Sequence, residues 1–191
     1  MSTKGKVIII SGPSGSGKTT LHQKLLASGK LRSRLVKSIS ATTRTRRPGE
    51  KNGKDYIFLT KKAFLSRRDR GYFLEWEKVF DNYYGTPKKK VDTLIRSGKN
   101  VLLCIDVKGA KTAGRCFPDA VRIFIKTPTI GDLKRRLAAR GSETKKDLAL
   151  RLATARRELK EAGKYDHIVV NGRLSAAFKN LEKIVCKALS P

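Results

Sequence analysis

Eight consecutive residues, Gly12-Pro13-Ser14-Gly15-Ser16-Gly17-Lys18-Thr19, have the types and spacing to do chemistry as they stand. They match G-x-x-x-x-G-K-[ST] in full. Glycines let backbone N–H groups converge on phosphate oxygens without side-chain obstruction, and a following helix N-terminus adds partial positive charge. Lys18 can reach the outer phosphates, and the Thr19 hydroxyl can ligate Mg2+. Four apolar residues, Val7 to Ile10, precede the loop and a helical pattern follows it, which is the context such a loop needs. The pattern points to a nucleoside triphosphate and leaves hydrolysis, transfer and motor work open. Asp106 closes a second apolar run, Val101–Ile105. An acid there can face the metal, or it can cap the next helix.

These residues need elements to hold them. Val7–Ser11, Val36–Ser40, Tyr56–Leu59, Val101–Ile105, Ala120–Ile125 and His167–Val170 read as strands. Thr19–Ala27, Lys61–Arg70, Lys88–Arg96, Ile130–Arg140, Leu148–Ala162 and Ser175–Ala188 read as helices, several stopped by Gly. Buried strands alternating with helices imply an α/β fold with a parallel sheet covered on both faces. Ligands then sit at the carboxyl ends of the strands. Residues 36–90 break the alternation: 41–53 is turn-prone, and Tyr72–Thr86 suggests a hairpin around Asp81-Asn82. They read as an inserted mixed lobe.

The chain has 191 residues, of which 39% are apolar and 31% charged, so one domain with a packed core is expected. No apolar run approaches the roughly 18 residues of a membrane span. The N-terminal segment lacks the apolar stretch of a secretory signal, so a cytoplasmic location is expected. Cys104, Cys116 and Cys186 are widely spaced and form no CxxC pair; reduced core residues are expected rather than a zinc site or disulfides. Lys and Arg number 44 against 16 Asp and Glu, a net charge of +28. That field attracts nucleotides, nucleic acid or anionic surfaces without choosing among them.

Ser38-Ile39-Ser40-Ala41-Thr42-Thr43-Arg44, Pro48-Gly49-Glu50 followed by Gly53, Asp55 and Tyr56, Phe73-Leu74-Glu75-Trp76, and Asn82-Tyr83-Tyr84-Gly85-Thr86 follow the phosphate loop in order. Together these blocks resemble guanylate kinase, the ATP:GMP phosphotransferase family of nucleoside monophosphate kinases. The likeness runs from about Lys6 to Ile184. It implies a P-loop NTPase-type sheet with core 1–35, 91–130 and 160–191, a GMP-binding lobe 36–90 and a helical lid 131–159. It implies that ATP lies on Gly12, Pro13, Ser14, Gly15, Ser16, Gly17, Lys18, Thr19, Thr20 and Asn171. GMP, with dGMP, would lie on Ser40, Arg44, Arg47, Tyr56, Glu75, Tyr84, Gly85, Thr86 and Asp106. Thr19 and Asp106 would hold Mg2+. Lys18, Arg44, Arg136, Arg140 and Arg151 would serve catalysis. A monomer or weak homodimer is expected.

The chemistry of these residue types agrees. A phosphate dianion suits Arg forks and hydroxyl donors. Guanine presents adjacent N1–H and N2–H2 donors, which one carboxylate such as Glu75 can accept together. Trp76 and Tyr83 are expected in the core, and Glu77 and Lys78 in solvent. The chain departs from the family at Cys104, where a second carboxylate is usual, at Asp81 and Arg46, and at Gly172-Arg173. Two rival readings remain: a guanylate-kinase-like protein-binding module, or a kinase that also binds nucleic acid through its basic surface.

Overall fold

The structure, a computed structural model, describes residues 4–79, 81–139 and 145–190. All five residues of β1 (Val7–Ser11) are buried. A strand with apolar side chains on both faces belongs at the centre of a parallel sheet. The sheet runs β2–β7–β1–β8–β9, with β2 at Leu35–Lys37, β7 at Asn100–Cys104, β8 at Val121–Lys126 and β9 at His167–Val170. Every pairing is parallel; Ile10 lies opposite Cys104 on one side and Ile123 on the other. Period-2 alternation splits β1 between two cores. Ile8 and Ile10 meet Leu21 and Leu25 of α1 (Lys18–Ala27) and Leu181 and Val185 of α7 (Leu174–Ala188). Val7 and Ile9 meet Val91 of α3 (Lys88–Arg96) and Ala110 and Ala113 of α4 (Val107–Cys116). Each fully buried Ile contributes roughly 1.5–3 kcal/mol, so the strand that launches the phosphate loop is firmly anchored.

A second sheet, β4–β3–β6–β5, comprises β3 (Ala41–Thr42), β4 (Ile57–Phe58), β5 (Phe73–Val79) and β6 (Asn82–Pro87). The β5–β6 hairpin closes with Val79 opposite Asn82. Phe64 of α2 (Lys61–Asp69) stacks on Phe73 at 4.4 Å between ring centroids, sealing a small core with Ala41. Beyond β8, Leu133 and Leu137 of α5 (Ile130–Ala138) pack on Ala155 of α6 (Lys145–Leu159). Among the described residues no helix is long and apolar enough to cross a membrane, and the three cysteines are free.

Several elements differ from expectation. Segment 41–53 opens with β3, which pairs antiparallel with β6 and parallel with β4; two residues are too short for alternation to reveal. Helix α4 is the helix that Asp106 caps, the second of its two readings; its extent did not stand out because its buried positions Gly109, Ala110 and Ala113 are small. The second strand shifts to β2, and α6 stops at Leu159 before a 3-10 turn, Ala162–Lys164. Trp76 is 40% exposed rather than core, since it lies opposite Gly85 on the outer face of the hairpin. Glu77 is half-buried and meets Lys108 at 3.5 Å. The expected end of the basic helix at Arg140 lies outside the described residues.

Candidate active site

The phosphate loop leaves β1 over the carboxyl edge of the large sheet. Gly12 and Gly17 have φ of 139° and 91°, backbone that side chains rarely adopt. A Cβ on Gly12 would lie 2.1 Å from the Ile125 carbonyl oxygen, and one on Gly17 2.2 Å from Asn171 Nδ2. Gly12 is therefore required by backbone contact as well as by torsion, and Gly17 by torsion. Lys18 Nζ folds back and donates to the carbonyls of Gly12 (2.6 Å) and Pro13 (2.9 Å). Ser14, Thr19 and Thr20 face solvent, while Pro13, Gly15 and Ser16 are buried. Buried Asn171 donates from Nδ2 to the Ser16 carbonyl at 2.8 Å. Arg136 Nη2 in turn donates to the carbonyls of Asn171 (2.7 Å) and Gly172 (3.3 Å). Gly15, Gly17, Thr20, Arg136, Asn171 and Leu174 border a cleft of about 300 Å3. The structure thus brings Asn171 and Arg136 onto the loop, with the Asn171 amide acting as its brace.

The second half of the site lies on the smaller sheet. Glu75 and Thr86 are paired across β5 and β6, and the buried Thr86 hydroxyl donates to Glu75 Oε1 at 2.5 Å. Burial pushes the Glu75 carboxyl up to about 7; the Thr86 bond opposes this and Asp106 adds to it. Gly109 makes room, since a Cβ there would stand 2.4 Å from Glu75 Oε2. Asp106 caps α4, accepting from Gly109 N–H at 2.7 Å through Oδ1. Arg44 Nη2 donates to Glu50 Oε1 at 2.6 Å, and its guanidinium lies 5.5 Å from the centre of the Tyr56 ring. Desolvation pulls its pKa down, but the bond to Glu50 outweighs that, with Tyr84 and Tyr56 adding to the rise. Glu50 also accepts from the Arg47 N–H at 2.8 Å. Tyr56 and Tyr84 meet edge to face at 6.3 Å, and burial, then Tyr84, raises the Tyr56 phenol. Ser40 is half-buried, its carbonyl accepting from Ile57 N–H, and Gly85 is packed beneath Phe73. Arg151 is half-buried on α6, and Arg140 lies outside the described residues.

Both halves converge on Cys104. Burial raises its thiol pKa, while Lys18 from the loop and Lys37 from β2 pull it down, and Tyr56 feels the thiol in return. Lys18 of the loop and Tyr56 beside the smaller sheet therefore both lie within electrostatic reach of Cys104. The family model for guanylate kinase matches residues 4–188. The chain belongs to the guanylate kinase family. It is 45% identical over 184 residues to a guanylate kinase of Synechocystis, covering 96% of this chain and 95% of that one. It is 42% identical over 182 residues to one of Prochlorococcus marinus, covering 95% and 96%. The crystal structure of guanylate kinase from Anaplasma phagocytophilum superposes with a TM-score of 0.77 at 30% identity, over 98% of this chain and 88% of that one.

Three features of this guanylate kinase family member were not singled out in the sequence. Glu50 lay unnoticed as the partner of Arg44, because five residues of loop separate them. Gly109 shows its purpose only once α4 meets β5. Glu158 lies between Ala155, which packs on α5, and Leu159, which packs with Val107 and Phe124. Its spacing of seven from Arg151 puts both on one helical face, a signal that could have found it. Burial raises its pKa to about 7; Lys18 opposes the rise and Asp106 adds to it. Only above about 7 is it mainly charged toward Lys18. Glu158→Gln is expected to lower kcat about fivefold at pH 8, the effect of roughly 1 kcal/mol for a partly exposed charge pair. The rise of kcat between pH 6 and 8 should flatten in the variant, read from steady-state profiles at saturating substrates.

Proposed function

We infer that the chain catalyses MgATP + GMP → ADP + GDP, with the phosphate loop as donor site and the smaller sheet as acceptor site. The observation that carries this reading is the buried Glu75–Thr86 pair. A desolvated carboxylate with one hydroxyl partner suits the two adjacent donors of guanine, and adenine offers no such pair. Beside it, Arg44, Arg47, Tyr56, Tyr84 and Ser40 have the donors to hold a phosphate dianion. Arg44 would leave Glu50 for that phosphate.

The attacking atom is a phosphate oxygen of GMP, so no protein nucleophile is needed, and catalysis is positioning plus charge neutralisation. Lys18 would turn from the Gly12 and Pro13 carbonyls to the outer phosphates of ATP. Arg136, Arg140 and Arg151, from residues 131–159 acting as a lid, would close over the transferring group and exclude water. Asn171 would hold the loop shape while its neighbourhood receives the adenosine end. Thr19, an exposed hydroxyl, and Asp106 offer hard oxygen ligands. No group of three or more metal-binding side chains occurs among the described residues. That sparse set fits Mg2+, which keeps waters and shares substrate phosphates. When bound, the ion would neutralise phosphate charge.

The test is a coupled assay of purified protein. ADP formation should require GMP and fail with AMP; formation independent of GMP would sink the reading. The complete loop, with Lys18 and Thr19 in place, speaks against a module that only binds protein. At the departure from the family, Cys104→Asp is expected to leave turnover unchanged or raise it, because Lys18 and Lys37 flank the new carboxylate. A loss above about tenfold, the size of one charged contact, would mark the thiol as an adaptation.

A further inference from the structure

Phosphoryl transfer makes no use of the outer face of the hairpin sheet. Five rings run in a row there: Tyr72 on Phe73 (5.2 Å), Phe73 on Phe64 (4.4 Å), Phe64 on Tyr83 (5.4 Å) and Tyr83 on Trp76 (6.2 Å). The middle of the row is covered by α2, while its ends reach solvent. Consecutive arginines at the end of α2 splay over those ends. Arg67 stands 5.2 Å from the centre of the Tyr72 ring and Arg68 5.1 Å from that of Trp76. Tyr72 also accepts Lys88 N–H at 3.0 Å, which brings up the start of α3 and the exposed Lys88, Lys89 and Lys90. Three ammonium groups in a first helical turn without an acid oppose the helix dipole and one another. An external polyanion removes that penalty.

We propose that this face binds single-stranded nucleic acid. Phosphates lie along Arg67, Arg70 and Lys88–Lys90, and bases stack at the Trp76–Arg68 and Tyr72–Arg67 pairs. The net charge of +28 supplies the attraction. A duplex hides its base faces, and inorganic polyphosphate has none. A lipid surface calls for an apolar side chain that projects, whereas Trp76 lies between Arg68 and Tyr83. Glu75 and Trp76 are adjacent on β5 and point to opposite faces, so the strand and GMP do not compete.

Trp76 is the sole tryptophan of the chain, so its emission reports this face directly. The full chain, saturated with GMP, is titrated with an oligouridylate of about 12 nucleotides lacking terminal phosphates. Emission should be quenched by about half or more. Log affinity should fall with log salt with a slope near −3, about −0.7 for each of some four phosphates. The R67E/R70E/K89E variant should bind at least about tenfold more weakly while keeping GMP-dependent ADP formation. By anisotropy of a labelled oligomer, Trp76→Ala should weaken binding about fivefold or more and Trp76→Phe should restore it. The proposal fails if the oligomer causes no quenching at about 25 mM salt, where binding is strongest. It fails equally if polyphosphate quenches as the oligomer does, if anionic vesicles shift the emission where the oligomer does not, or if the charge-reversed variant binds undiminished.

Discussion

Glu75→Gln is expected to lower kcat/KM for GMP by on the order of 10³-fold and to leave KM for ATP within about a factor of two. The glutamine oxygen accepts one guanine donor, but its amide then faces the other, so a buried site loses one hydrogen bond and gains a clash of donors. Because the wild-type carboxyl titrates at about 7, the same residue imposes a pH signature. Below about 7 it is mainly protonated, and only its ionised form accepts both donors. GMP must then expel a proton, and KM for GMP rises by up to about tenfold per pH unit. At saturating GMP, kcat should not show this limb from Glu75, and in the variant KM should be flat. A wild-type KM unchanged from pH 8 to 5.5 would remove Glu75 from contact with the base. Stability follows the same group. Its raised pKa favours the fold below the unfolded value, and that advantage is lost as pH climbs through about 7. The melting temperature of wild type relative to the variant should therefore fall across the window from 4.5 to about 7.

Lys18→Met is expected to lower kcat by about 10³-fold, the cost of losing one preorganised donor to a transferring phosphoryl group. ATP affinity should weaken far less, because the backbone N–H groups of the loop and the helix terminus remain. Lys18→Arg should not restore the rate. A planar fork cannot reproduce the compact ammonium that now sits 2.6 and 2.9 Å from the Gly12 and Pro13 carbonyls. Single-turnover measurements with pre-bound ATP isolate the transfer step, and retention of more than about a tenth of the rate would exclude Lys18 from it.

Elements that bury themselves by their own pattern were legible in the sequence. Strand β1 shows four apolar residues in a row and ends in glycine-rich turn chemistry; β9 keeps its expected bounds, although only Val169 of it is buried. The hairpin of β5 and β6 announces itself by aromatics around Asp81-Asn82. What could not be read depends on partners far along the chain. Strand β3 exists because β4 and β6 flank it. Helix α4 uses Gly109 where a larger residue would collide with Glu75. Trp76 faces outward because its neighbour on β6 is Gly85 and its cover is Arg68. In the site, the Phe73–Trp76 and Asn82–Thr86 blocks bring Glu75 and Thr86 into one hairpin, but the brace from Asn171 to Ser16 spans 155 positions, and no local pattern encodes it.

The ion pair between Arg44 and Glu50 shapes what can enter the acceptor pocket. The guanidinium holds a carboxylate oxygen at 2.6 Å. Any incoming anion must displace this tethered rival, which is present at high local concentration. A small inorganic anion offers little beyond its charge, so it competes poorly. A nucleotide succeeds because its purine ring gains contacts elsewhere while the swap occurs. On the function proposed above, the pair would act as a built-in filter that keeps free phosphate from occupying the clamp.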